Sequence, residues 1–90
     1  MKTLRLEIRG RVQGVSYRAS LIAQARSMGV GGWVRNRRDG SVEAVVQGPA
    51  ETLDRLVAWA HQGPPAAAVT SVDVFAGEGD FETFEQRPTA

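Results

Sequence analysis

The ninety-residue chain contains no cysteine, which excludes disulfide staples, thiol catalysis and thiolate metal centres. No apolar run is long enough to span a bilayer. Met1-Lys2-Thr3 leads straight into a charged, alternating segment with no apolar signal core, so the expected location is cytoplasmic. Charge of one sign is not in excess either. The formal net charge is +1, which gives no footing to nucleic-acid or membrane binding as the main role. Lysine is nearly absent: of eleven basic side chains only Lys2 is one, a bias that fits either genomic base composition or a hot habitat. The remainder, 42% hydrophobic and 23% charged, is the composition of a soluble globular protein. Residues 1–90 are expected to form one small domain with a single core.

The most informative stretch is Gly10-Arg11-Val12-Gln13-Gly14-Val15-Ser16-Tyr17-Arg18. Before it, Leu4-Arg5-Leu6-Glu7-Ile8-Arg9 alternates apolar and polar, the period of a strand with one buried face. After it, Tyr17, Leu21, Ile22, Ala25 and Met28 fall on one side of a helix. A two-glycine loop thus leads from a strand into a helix N-terminus with Arg18 in its first turn. The first amides of a helix lack intrahelical partners and the macrodipole is positive there. Arg18 adds a planar fork of donors matched to phosphate or carboxylate. Glycines between a strand and a helix also serve as plain turn residues, and an arginine in a first turn can simply be solvated. The stretch alone leaves both readings open. It is neither a Walker loop nor a dinucleotide fingerprint.

The spacing predicts a strand over about 3–10, with Leu4, Leu6 and Ile8 inward, and a helix over about 17–28 ended by Gly29. Val30-Gly31-Gly32 reads as a loose connection. Trp33-Val34-Arg35-Asn36-Arg37-Arg38 and Ser41-Val42-Glu43-Ala44-Val45-Val46-Gln47 flank Asp39-Gly40, a hairpin signal. A two-residue turn would place Asn36 across from Glu43, where the carboxylate could fix the amide or simply be solvated. Pro49 suits a first helical position, and Leu53, Leu56, Val57 and Ala60 form the stripe of a second helix, with Trp59 at its margin. Gly63-Pro64-Pro65 ends that helix. Ala68 to Ala76 alternates as a fourth strand, and Phe81 to Arg87 gives a short last one. The order β-α-β-β-α-β is that of an α+β ferredoxin-like sandwich, an antiparallel sheet with two helices on one face plus a short C-terminal strand.

Two segments together, Gly10 to Arg18 and Gly32-Trp33-Val34-Arg35-Asn36 followed by a turn and Val42-Glu43, closely resemble the acylphosphatase family. Gly48-Pro49 and Gly63-Pro64-Pro65 look like its later landmarks, so the likeness covers essentially the whole chain. What the resemblance implies is hydrolysis of carboxyl-phosphate anhydrides to a carboxylate and inorganic phosphate. By similarity, the amides of Gln13, Gly14, Val15, Ser16, Tyr17 and Arg18 cradle the phosphoryl oxygens, Arg18 clamps them and Asn36 holds the attacking water. The resemblance implies no metal or organic cofactor. It implies a small-molecule acyl phosphate as substrate, inorganic phosphate as product and competitor, no nucleic-acid or membrane partner, and a monomer. One departure is Gln86, near where the family usually carries an apolar residue.

The residue types can do this work. An acyl phosphate has a good leaving group, so the protein supplies mainly positioning and charge stabilisation, for which preorganised amides and one guanidinium are suited. An asparagine can accept from water and donate to a neighbour. The sequence leaves open whether a substrate phosphoryl oxygen acts as base. His61 closes the second helix as a surface residue, Ser16 has no activating base nearby, and Asp39 is explained by its turn. Arg35, Arg37 and Arg38 either steer an anionic substrate or are solvated. Trp33 reads as packing, in the core or a cleft wall. Gly10, Gly14 and Tyr17 read as architectural. The alternatives are a non-catalytic ferredoxin-like module for an anion or RNA, although no aromatic-rich RNA-recognition strand is present, and a carbamoyl-phosphate-handling partner of a larger maturation enzyme, a kind of domain usually fused to long extensions.

Overall fold

Alternation along the strands separates a face of Leu6, Ile8, Val34, Val42, Ala44 and Val46, all buried, from a face of arginines and glutamates. Both helices cover the apolar face. The computed structural model describes residues 1–90 as β1 (Lys2–Arg11), α1 (Tyr17–Ser27), β2 (Gly31–Asn36), β3 (Val42–Gly48), α2 (Ala50–Gln62), β4 (Ala68–Ala76) and β5 (Phe84–Gln86). Tyr17, Leu21 and Ala25 of α1 and Leu53 and Leu56 of α2 meet the sheet, with Leu4, Ile22 and Val57 packed at the margin. The strand order is β4-β1-β3-β2-β5, a ferredoxin-like α+β sandwich. No helix is long and apolar enough to cross a membrane.

Five local expectations need correction. The sheet is mixed, because β5 runs parallel to β2, with Val34 opposite Gln86. This last strand is also shorter than Phe81 to Arg87: the Phe81 amide donates to the Gln47 side chain at 3.1 Å, outside any ladder. Gly31 and Gly32 are not a loose connection but the buried start of β2. A Cβ on Gly32, where φ is +139°, would run into the Val45 carbonyl, so this strand needs glycine for close approach. Pro49, with ψ at 143°, precedes α2 as its cap and is not its first residue.

The fifth correction concerns the hairpin. Asn36 pairs with Val42 and Arg35 with Glu43, a register one residue away from that of a two-residue turn. The loop is Arg38-Asp39-Gly40, closed by the Arg37 amide donating to the Ser41 carbonyl at 2.8 Å. Asp39 accepts from the Ser41 amide at 2.9 Å and from its hydroxyl at 2.6 Å, which holds its carboxyl below the usual range. A one-residue slip moves every side chain to the other face. Asn36 therefore shares the helix-covered face with Val34, whereas Glu43 lies on the open face and cannot fix the Asn36 amide.

On that open face the basic residues are paired. Arg35 binds Glu43 at 2.7 Å, and Arg37 reaches Glu43 at 3.6 Å and Glu7 at 3.9 Å. Arg35 and Arg37 are therefore not a free basic patch beside the loop. Trp33 is buried, as the packing reading expects. It is sandwiched on the open face between the Arg35 and Arg87 guanidinium groups, 4.9 and 4.6 Å from its ring centre.

Candidate active site

The loop between β1 and α1 is shaped by two left-handed residues, Gly14 at φ +73° and Ser16 at φ +65°. That conformation is used to turn successive amides into an anion-binding concavity. A non-glycine residue there is uncommon, so Ser16 is a strained position, and its hydroxyl makes no capping bond. The first α1 bond to a backbone carbonyl is from the Ser20 amide to Ser16, at 3.1 Å, and no amide from Gln13 to Ala19 donates to a backbone carbonyl. Seven successive donors are thus left for water or a ligand, at the positive end of a helix dipole.

Five of the seven, at Gly14, Ser16, Tyr17, Arg18 and Ala19, belong to residues that border a depression of about 150 Å³, which is lined also by Val12, Asn36 and Gln86. Of the residues expected at the site, Gly14, Ser16, Tyr17, Arg18 and Asn36 are brought together there. Gln13 and Val15 are not among its walls. The Gln13 side chain turns to the hairpin, donating to the Arg37 carbonyl at 2.7 Å and the Ser41 carbonyl at 2.9 Å, and Val15 packs against the core. Their backbone amides remain part of the unpaired series.

Arg18 is half-buried and takes no part in the ion pairs that engage Arg5, Arg9, Arg35 and Arg37. Its charge is available to an anion in the depression. Tyr17 is part of the wall, while its hydroxyl is engaged elsewhere. That hydroxyl is buried and donates to the Ala60 carbonyl at 2.7 Å, and burial pushes its pKa up. The bond meets a real deficit, since the residue four beyond Ala60 is Pro64, which has no amide to close the helical turn.

Asn36 sits at the end of β2, on the same face as buried Val34. Its Oδ1 is buried and has no hydrogen-bond partner. A buried amide oxygen left unpaired is costly, and its terminal torsion is soft and roughly two-fold. Asn36 is also one of the walls of the depression. Gln86 is the residue that sequence reasoning missed as part of the site. The alternation Phe84 inward, Glu85 outward, Gln86 inward gives its face, and only the pairing of β5 with β2 brings it to the depression. His61 is exposed on α2 and distant in role, and no cluster of three or more His, Asp or Glu gathers in the fold.

Similarity to known proteins extends over nearly the whole chain. The family model for acylphosphatase matches residues 4–86. The chain is 59% identical over 87 residues to an acylphosphatase of Thiobacillus denitrificans, covering 97% of this chain and 98% of that one. It is also 59% identical over 85 residues to an acylphosphatase of an Azoarcus species, covering 93% and 87%. Among solved structures, the acylphosphatase from Bacillus subtilis superposes with a TM-score of 0.92 at 32% identity, over 97% of this chain and 99% of that one. With unpaired loop amides, an unpaired Arg18 and an unpartnered Asn36 meeting at one depression, the matched fold and sequence place the chain in the acylphosphatase family of enzymes.

Proposed function

We propose that the chain hydrolyses small acyl phosphates, holding the phosphoryl group on the loop amides and Arg18 while Asn36 orients the attacking water. The observation that carries this reading is the meeting of unused groups. The depression is lined by Gly14, Ser16, Tyr17, Arg18 and Ala19, whose amides make no backbone bond, together with an unpaired guanidinium and a carboxamide oxygen with no partner. Its volume of about 150 Å³ is below the roughly 300–1,000 Å³ of pockets that enclose drug-sized ligands. The phosphoryl group therefore enters and the acyl group stays at the mouth.

The step is an in-line displacement. The water oxygen bonds to phosphorus as the bond from phosphorus to the acyl oxygen breaks, and its electron pair leaves with the carboxylate. Charge on the phosphoryl oxygens is met by donors already in place, which need no reorganisation at the moment of reaction. No carboxylate or imidazole lines the depression. In this reading the water proton goes to a phosphoryl oxygen of the substrate, and Asn36 aims the water without acting as a base. The protein acts as a cytoplasmic monomer on a small molecule, with no metal and no organic cofactor. The open sheet face is not offered to nucleic acid, since its arginines are engaged by Glu7 and Glu43.

The test is hydrolysis of acetyl and benzoyl phosphate, with and without a chelator and with inorganic phosphate added. Turnover that survives the chelator and is inhibited competitively by phosphate is the expected result. A requirement for a divalent metal, or no turnover of either substrate, would overturn the reading.

A further inference from the structure

The depression has a second carboxamide in its wall. Gln86 lies on β5 directly opposite Val34, so its side chain shares the helix-covered face on which Asn36 lies two residues further along β2. The backbone around it is pinned. Phe84 is buried in the core, and its carbonyl accepts from Arg26 Nη2 at 2.9 Å and Nε at 3.2 Å. On the other side the Arg87 amide donates to the Val34 carbonyl at 2.9 Å. The carboxamides of Gln13 and Gln47 are tied to backbone carbonyls, whereas Gln86 is exposed and reaches the depression. An apolar side chain would pack more readily on this face. A polar one at the mouth is placed for something that arrives there.

We infer that Gln86 is a further catalytic residue, whose amide N–H donates to the carbonyl oxygen of the acyl group. The inference rests on the acyl phosphate reading above. When the bond from phosphorus to the acyl oxygen breaks, the electron pair spreads over both oxygens of the departing carboxylate. A donor on the carbonyl oxygen strengthens as that charge develops, which is the condition for lowering a barrier and not merely tightening binding. Gln86 transfers no proton. The same contact selects for acyl phosphates over aryl or alkyl phosphates, whose leaving oxygen has no carbonyl beside it.

The experiment compares wild type with Gln86→Leu, which is apolar and removes the donor, and Gln86→Glu, which keeps the shape and opposes the charge. Each is assayed on a series of ring-substituted benzoyl phosphates spanning leaving-group acidity, with inhibition by inorganic phosphate measured alongside. The expected result for Gln86→Leu is about a tenfold loss of turnover, the scale of one net hydrogen bond. Its rates should depend more steeply on leaving-group acidity, and phosphate inhibition should be unchanged. Gln86→Glu should lose more. Equal slopes in wild type and Gln86→Leu would overturn the inference, as would weakened phosphate inhibition, which would make Gln86 a strut of the cradle. Failure of the underlying reading is distinct: wild type itself would turn over none of the series.

Discussion

The Gln13 carboxamide and the Arg37 carbonyl, 24 residues apart in the chain, are joined by a 2.7 Å hydrogen bond, with a second from the same nitrogen to Ser41 at 2.9 Å. These bonds couple the loop between β1 and α1 to the end of the hairpin that carries Asn36. On the proposed reading of the site, Gln13 is a positioning residue that sets the distance between the loop amides and Asn36.

Replacing Gln13 by Leu should leave that distance free to drift. Misplacement by about 1 Å can cost on the order of a hundredfold in rate, so kcat should fall by about ten- to a hundredfold. Inhibition by phosphate should change little, because the loop amides and Arg18 remain. Steady-state kinetics with phosphate as inhibitor separates the two effects.

Arg18→Ala should abolish phosphate binding and turnover while the melting temperature stays near that of wild type, since Arg18 holds no ion pair in the fold. Arg18→Lys should recover little, because a point charge does not reproduce a planar fork. Phosphate titration by calorimetry alongside thermal unfolding checks both.

Tyr17→Phe should destabilise the fold by about 1–3 kcal/mol, the cost of a buried acceptor left unpaired, because no other donor reaches the Ala60 carbonyl before Pro64. Its turnover at temperatures well below the melt should match wild type, since the hydroxyl points away from the depression. Chemical denaturation and activity on the same sample test the pair of expectations.

The hydrogen bond from Arg5 to Glu7, at 2.9 Å, holds the Glu7 carboxyl below its usual range. A folded-state pKa below the unfolded one contributes stability that is present above the unfolded value, near about 4.3 for a glutamate. That stability is lost as pH falls through the lower, folded value. The melting temperature should therefore drop on acidification below about pH 4–5, less in Glu7→Gln than in wild type, and less at high salt.

Much of this was legible in the sequence because it was local. Alternation found β1 and β4, the helical period found α1 and α2, and glycines with Arg18 marked the loop. What was not legible depended on partners distant in the chain. Asp39-Gly40 announced a hairpin but not its loop length, which is set by the Arg37–Ser41 closure and by the Asp39 bonds to Ser41. That single residue decides whether Glu43 faces Asn36 or Arg35. Gly31-Gly32 reads as a connection in isolation, and only its pairing with Gln47 and Val46 of β3 makes it a strand. The parallel pairing of β5, which brings Gln86 to the site, has no local signal at all.

Asn36 offers the sharpest separation of function from stability. If it only filled space, its truncation would open a small gap and weaken the fold. The unpartnered Oδ1 points the other way, because deleting a buried oxygen that bonds to nothing removes a desolvation cost along with the lost contacts. Asn36→Ala should therefore unfold at a temperature equal to or above that of wild type. Its kcat should fall by about 10²–10³, the loss seen when one preorganised polar group is removed from an active site. Inhibition by inorganic phosphate should hold, since the cradle and Arg18 are untouched. Asn36→Asp keeps the shape but puts a negative charge beside the phosphoryl group, so it should lose phosphate affinity as well as rate. A folded Asn36→Ala with full turnover would remove the water-orienting role and leave the unpaired oxygen without a purpose.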